Sequence, residues 1–255
     1  MLAGWIESRF IDQGIYIVEP NEEATRQFEK IPNLKIVRTA SAISKTIVPS
    51  VVILAVKPQT MDETLPDLKR FVGKETTFLS VAAGKTLGYF EKHLGEDAQV
   101  VRAMPNTPAA VMRGITVYVP NANVPKQQSA LCGELLSSVG EAVLVGEEGL
   151  MDPVTAVSGS GPAYVFLLIE VMAKAGVNAG LPPDLAMRLA RSTVSGSGEL
   201  ARLSEEAPSQ LRINVTSPGG TTAAALDVLM AEKGIQSIFD EAINAATIRS
   251  RELAG

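Results

Sequence analysis

Histidine and cysteine are almost missing from this chain: His93 and Cys132 are the only ones among 255 residues. A single cysteine cannot form a disulfide within the chain, which suits a reducing compartment. A single histidine excludes metal sites built on clustered histidines and argues against a serine–histidine triad. His93 lies in the polar run Glu91-Lys92-His93 and reads as a solvated surface residue. Positive charge is scarce as well: 23 Lys and Arg against 28 Asp and Glu leave a net charge of −5 and a pI near 5.1. No basic cluster interrupts that balance, so no nucleic-acid partner is expected. Long apolar runs are missing too. The longest, Ala163–Ile169, stops at Glu170 and falls far short of the roughly 20 residues a membrane-crossing helix needs. No membrane association is expected. The N-terminus lacks a basic stretch followed by an apolar one, so no signal peptide is read. The expectation is a soluble, cytoplasmic protein without a metal.

What is present is a globular composition, 46% hydrophobic and 20% charged, in a chain long enough for two moderate domains. Leu2-Ala3-Gly4-Trp5-Ile6 reads as the tail of a helix. Gly14–Glu19 is a short strand ended by Pro20, Asn21–Lys30 is helical in composition, and Leu34–Val37 is a second strand. Ser50–Val56 is a β-branched run of the kind buried on both faces of a sheet. Thr77–Val81, Gln99–Ala103, Ile115–Val119 and Ala142–Val145 read as further strands, the last two flanking a helix at Lys126–Val139. Strands alternating with helices at this spacing imply a parallel sheet covered on both sides. Beyond about Glu147 only helices are read: Gly161–Ala175, Pro183–Leu203 and Gln236–Leu253, the last with Ile238, Phe239, Ala242, Ile243 and Ala246 inward. The fold class is α/β, a Rossmann-like domain over residues 1–146 followed by an all-α domain over 147–255 that buries surface against a second copy.

Ligands of open parallel sheets bind beyond the carboxyl ends of the strands. Here those ends carry Glu19, Val56-Lys57-Pro58, Val81-Ala82-Ala83-Gly84 and Met104–Pro108, small and backbone-rich tips that suit a flat cofactor. A different chemistry is written into Val215–Leu226, which joins a hydroxyl- and glycine-rich turn to a helix-forming run. Ser217 or a neighbouring hydroxyl can cap that helix, and Pro218 suits a turn or a first helical position. Gly219 and Gly220 let a ligand reach the backbone N–H groups. Free N–H groups at the positive end of a helix form a seat for a small anion such as a carboxylate. Thr221 and Thr222 add hydroxyls that both donate and accept.

Four segments together resemble the pyrroline-5-carboxylate reductase family: Leu54–Gln59 (Leu-Ala-Val-Lys-Pro-Gln), Arg102–Gly114, Ala156–Tyr164 (Ala-Val-Ser-Gly-Ser-Gly-Pro-Ala-Tyr) and Asn214–Leu226. The resemblance runs over essentially the whole chain in order. It implies reduction of the cyclic imine 1-pyrroline-5-carboxylate to L-proline by hydride from NADPH or NADH, in a homodimer or higher homo-oligomer. By similarity, Ser217, Gly219, Gly220, Thr221 and Thr222 would hold the substrate carboxylate, and Thr222 would also serve the ring nitrogen as the catalytic residue. Glu148 would line the substrate pocket. Ala55, Val56, Lys57, Pro58, Val81, Ala82, Ala83 and Asn214 would touch the cofactor. The chemistry agrees with the composition, because a protonated imine is already electrophilic and positioning supplies much of the acceleration.

Two departures stand out. No Gly-x-Gly-x-x-Gly occurs in the chain, although that loop cradles a dinucleotide's pyrophosphate. The sequence is therefore expected to begin inside the first helix of a shortened reductase, to bind cofactor weakly and to expose sheet edges. Glu19 closes a strand where a carboxylate accepts from the ribose 2′-OH of NADH and repels a 2′-phosphate. That favours NADH slightly, while Arg26 is near enough to serve a phosphate, and the Thr39–Ser44 loop lacks an asparagine often placed near the adenosine in the family. Two other readings remain open. A hydroxyacid dehydrogenase of the same plan would need a base, for which Lys57 is the candidate; a non-catalytic dimeric binding protein would need none.

Overall fold

The computed structural model describes residues 1–7, 12 and 14–254. It divides into two compact units: one is Met1–Gly159 together with the C-terminal stretch from Thr247, the other Ser160–Ala246.

The first unit opens with helix α1 (Leu2–Glu7), fixed by the Trp5 indole N–H, which donates to the Leu135 carbonyl at 2.8 Å. Strand β1 (Ile15–Val18) pairs in parallel with β2 (Leu34–Val37), the two joined through a short helix α2 (Glu22–Thr25) that Asn21 caps. A five-stranded sheet follows in the order β3 (Val51–Leu54), β4 (Thr77–Ser80), β5 (Gln99–Met104), β6 (Gly114–Pro120) and β7 (Gly140–Leu144). Helix α3 (Met61–Leu68) buries Met61, Leu65 and Leu68, one face at helical spacing, despite Pro66 in its interior. Helix α4 (Leu87–Leu94) buries Leu87, Phe90 and Leu94 in the same way; Thr86 caps its start and Gly95 its end. These faces meet Leu54, Phe78 and Val100 in one core, each large side chain contributing about 1.5–3 kcal/mol when fully buried. Helix α5 (Lys126–Ser137) covers a second cluster around Leu79, Val101 and Leu136.

Three expectations change here. The sheet is not wholly parallel, because β6 runs antiparallel to β5. Only residues 105–113, including the 3-10 helix Thr107–Val111, join Met104 to Gly114, fewer than the roughly dozen or more that a parallel crossover needs. Secondly, the strands form two sheets rather than one: among the described residues, β1 and β3 each pair on one side only. Thirdly, His93 is not simply solvated. Its Nδ1 lies 2.8 Å from the Tyr89 carbonyl and its ring packs on Tyr89 at 4.3 Å.

After β7 the chain turns through α6 (Met151–Val154) and a π-helical turn, Thr155–Gly159. A Cβ at Gly159 would meet the Met104 Cε methyl, so this turn lies against the end of β5.

The second unit is all-helical: α7 (Gly161–Asn178), α8 (Pro183–Leu203), α9 (Pro208–Asn214), α10 (Thr221–Leu229) and the start of α11 (Ile235–Ala254). Helices α7 and α8 pack on each other, yet the unit's buried hydrophobic residues are only Ala173, Ala186 and Ala190. The expected inward face of α11 is therefore corrected: Ile238 is 63% and Phe239 40% exposed, and Ala242 is exposed as well. Ile243 and Ala246 are half-buried and the Phe239 ring meets Tyr164 edge-on at 6.1 Å, so the stripe is only partly covered within one chain. The stretch Glu148–Asn178, 31 residues, is long and apolar enough by length and composition to cross a membrane.

Candidate active site

In the helical unit, the turn Ser217–Gly220 is closed by the Gly220 N–H, which donates to the Ser217 carbonyl at 3.0 Å. Pro218 takes the second position, and Gly219 the third with φ +67°, the left-handed conformation such a turn demands there. Helix α10 starts immediately afterwards. Its N-cap is Gly220, with no side-chain bond, so the expected capping by a hydroxyl is not what forms. The first helical bond runs from Ala224 N–H to the Gly220 carbonyl at 3.2 Å. The N–H groups of Thr221, Thr222 and Ala223 therefore have no acceptor within the helix. With the Ser217, Thr221 and Thr222 hydroxyls beside them, they make a compact cluster of donors at the positive end of a helix. Five of the expected substrate residues, Ser217, Gly219, Gly220, Thr221 and Thr222, thus share one turn. Asn214 ends α9, with its amide occupied by Glu206 at 3.0 Å and Gln210 at 2.8 Å.

In the sheet unit, the carboxyl ends of β3, β4 and β5 share one edge. Ala55, Val56 and Lys57 are exposed just past β3, with Pro58 half-buried. Past β4, Val81 N–H donates to the Leu54 carbonyl at 3.2 Å and Ala82 N–H to Ser80 Oγ at 3.2 Å. Ala82 is buried, so this loop offers a ligand backbone and Ala83 rather than the Ala82 side chain. Glu19 follows β1, and its Oε1 accepts Asn21 N–H at 2.9 Å, which leaves the second oxygen for a ribose hydroxyl. These small, backbone-rich ends fit the nucleoside portions of a nicotinamide dinucleotide.

Glu148 is half-buried. Its Oε1 accepts both the Arg102 guanidinium and the Leu87 N–H, each at 2.8 Å. Sequence reasoning gave Arg102 no role, although a charged residue inside Val100-Val101-Arg102-Ala103 is a signal, since a buried charge needs a partner. Cys132 is buried, and burial pushes its thiol up to about 12, which makes it inert rather than nucleophilic. No group of residues able to hold a metal ion occurs among the described residues.

A mostly parallel sheet with small residues at its carboxyl edge, followed by helices carrying an anion-ready turn, defines a nicotinamide-dependent oxidoreductase. Comparison with known proteins narrows the class. Residues 148–253 match the family described as pyrroline-5-carboxylate reductase dimerisation. A pyrroline-5-carboxylate reductase of Pseudomonas aeruginosa is 44% identical over 204 residues, 80% of this chain and 74% of that protein. The solved structure of a pyrroline-5-carboxylate reductase from Coxiella burnetii superimposes with a TM-score of 0.91 at 33% identity, covering 99% of this chain and 93% of that one. A Plasmodium falciparum pyrroline carboxylate reductase, solved with NADP bound, gives a TM-score of 0.76 at 29% identity, covering 94% and 87%. The chain belongs to the pyrroline-5-carboxylate reductase family. It is an NAD(P)H-dependent oxidoreductase of proline biosynthesis, and its helical unit assembles a homodimer. The exposed apolar face of α7, including Val165, Phe166 and Leu168, falls in the dimerisation match, so a second copy accounts for it.

Proposed function

We propose that the turn Ser217–Thr222 holds the carboxylate of 1-pyrroline-5-carboxylate while the ring C=N faces the reduced nicotinamide. NADH or NADPH, when bound, supplies the hydride. The N–H groups of Thr221, Thr222 and Ala223 receive the carboxylate, and the Ser217 and Thr221 hydroxyls complete its hydrogen bonds. Thr222 Oγ1 orients the ring nitrogen and helps keep its proton in place, which maintains an electrophilic carbon. No histidine or metal is required, because the imine needs only protonation and alignment. Glu19, Ala55–Pro58 and Val81–Ala83 hold the cofactor, with Glu19 favouring NADH. The protein works in the cytoplasm, a reading supported by its single, buried cysteine.

The observation that carries this reading is the left-handed Gly219 directly ahead of an uncapped helix start. The test is an assay of the purified chain with the imine acid and either reduced nucleotide, following nicotinamide absorbance and proline together. Equimolar nucleotide loss and proline gain are expected. Turnover of hydroxy acids without imine reduction would overturn the assignment of substrate.

A further inference from the structure

Arg102 is 5% exposed in β5, flanked by β4 and β6. Among the described residues its side chain makes one hydrogen bond, to Glu148 Oε1 at 2.8 Å. That same oxygen accepts the N–H of Leu87, the first residue of α4, also at 2.8 Å. A helix's first N–H groups have no internal acceptor, and a carboxylate there is favoured by the dipole. Glu148 thus joins a central strand to the start of α4, and α4 is preceded by the loop Val81–Thr86.

The loop is held at its other end too, where Val81 N–H reaches the Leu54 carbonyl and Ala82 N–H reaches Ser80 Oγ. Midway, Gly84 (φ +73°) passes so near the C-terminal helix that an added Cβ would sit 3.2 Å from the Leu253 carbonyl oxygen. The chain around Glu148 secures that helix as well, because Asp152 accepts the Ser250 hydroxyl at 2.7 Å. The segment from Glu148 to Asp152 therefore grips the loop from two sides, directly through Leu87 and indirectly through α11.

We infer that Arg102 and Glu148 are positioning residues: they fix the loop Val81–Thr86, whose first residues the proposed function assigns to the cofactor. This rests on the reductase reading above. The positioning role rests on Glu148 Oε1, which both donors engage. Control of the loop matters because hydride transfer requires reacting carbons about 3–3.5 Å apart, and a displacement of about 1 Å costs on the order of 10²-fold.

The test uses the double variant Arg102→Met/Glu148→Ala, which leaves no charge stranded in the sheet, beside the conservative Glu148→Gln. Hydrogen–deuterium exchange of residues 81–94 is measured without nucleotide, and KM is measured separately for nucleotide and imine. In the double variant, exchange across 81–88 should quicken by about tenfold or more while the rest of the sheet unit stays unchanged. KM for the nucleotide should rise by about tenfold, with KM for the imine within about twofold. Glu148→Gln, which keeps an acceptor for Leu87 N–H, should recover most of the protection. Unchanged exchange at 81–88, uniform loosening of the whole unit, or a rise confined to the imine KM would each overturn the inference. A parent enzyme unable to reduce the imine would defeat the proposed function, and the exchange comparison would still decide the positioning role.

Discussion

Asp152 Oδ1 accepts the Ser250 hydroxyl at 2.7 Å across 98 positions of sequence. The bond fastens the last turns of α11 to α6, and the chain from Thr247 onward is part of the sheet unit. Arg251 approaches the same carboxylate at 3.9 Å, but its side chain is largely exposed, so it adds little. Ser250→Ala removes a hydrogen bond to a charged, mostly buried acceptor and should lower stability by about 1.5–3 kcal/mol. Urea denaturation at a fixed protein concentration checks this. The midpoint should fall at constant slope, and an unmoved midpoint would show the bond to be incidental.

Thr222→Ala addresses the chemistry. Thr222 is half-buried at the first turn of α10, and among the described residues its side chain makes no hydrogen bond that the substitution would break. Stability should change by no more than about 0.5 kcal/mol. Turnover should fall by about 10²-fold, the lower end of what a positioned proton-handling group supplies. Steady-state assay beside circular dichroism separates the two effects; full turnover in a folded Thr222→Ala protein would remove the residue from the mechanism.

Gly196 and Gly198 interrupt the long helix α8, and within one chain open space surrounds the position a Cβ would occupy at either. Glycine in a helix interior costs about 1 kcal/mol relative to alanine, so nothing inside the monomer calls for it. The close neighbour is expected from the second copy in the dimer. Gly196→Leu should therefore weaken dimerisation by on the order of 10-fold or more while raising helix propensity. Light scattering over a dilution series is the measurement, and a dimer as tight as the parent would place α8 outside the interface.

Asp62 and Tyr89 form a pH-sensitive contact between α3 and α4. The Tyr89 hydroxyl donates to the Asp62 carboxylate, with His93 Nε2 3.6 Å from the same group and Lys85 4.0 Å above the Tyr89 ring. The Tyr89 hydrogen bond, aided by Lys85, holds the Asp62 carboxyl below its usual range. Burial first, then the bond to Asp62, raises the Tyr89 phenol. The signs follow. A lowered carboxyl stabilises the fold above the unfolded pKa near 3.8, and that contribution is lost as pH falls through the folded value. A raised phenol stabilises below its unfolded pKa of 10, with loss as pH climbs toward the folded value. Tyr89→Phe should flatten both limbs of a stability–pH curve measured from about pH 3 to 11. Parallel curves for parent and variant would mean that the contact carries no linkage.

Local patterns were legible in the sequence where the chain itself decides the outcome. Leu34–Val37 and Pro183–Leu203 form over those residues because β-branched alternation and helical periodicity are local properties. Ser217–Thr222 was legible for the same reason, since two adjacent glycines before a helix former allow few other conformations. Non-local facts were not. The stripe on α11 reveals a face without revealing that a second chain must cover it. Helix α9 spans seven residues, too few for a period to show. The antiparallel turn of β6 depends on how short its connection is, and Glu148 meets Arg102 across 46 positions with no shared motif.

Glu19 sets the last prediction, the choice of cofactor. One carboxylate oxygen takes Asn21 N–H at 2.9 Å, and the Glu19 carbonyl accepts Arg38 Nη1 at 3.1 Å. Arg38 is also paired with Glu22 at 3.0 Å, so its guanidinium is held between two acceptors. A ribose 2′-OH can donate to the second Glu19 oxygen, whereas a 2′-phosphate would meet an anion whose neighbouring Arg38 is engaged by Glu22 and by the Glu19 carbonyl, leaving Arg26 as the cation to serve it. Two charges about 4 Å apart interact by roughly 1–4 kcal/mol between bulk water and a protein surface, so the preference for NADH should be about tenfold. Glu19→Gln removes the repulsion and Glu22→Gln releases Arg38 toward the phosphate. Each should raise the NADPH-to-NADH ratio of kcat/KM, and the two together should reverse it. Because Glu22 lies on α2 and is well exposed, its change should leave kcat with saturating NADH untouched. If the parent enzyme already prefers NADPH strongly, the 2′-phosphate must be seated away from Glu19, and neither substitution should then alter the ratio.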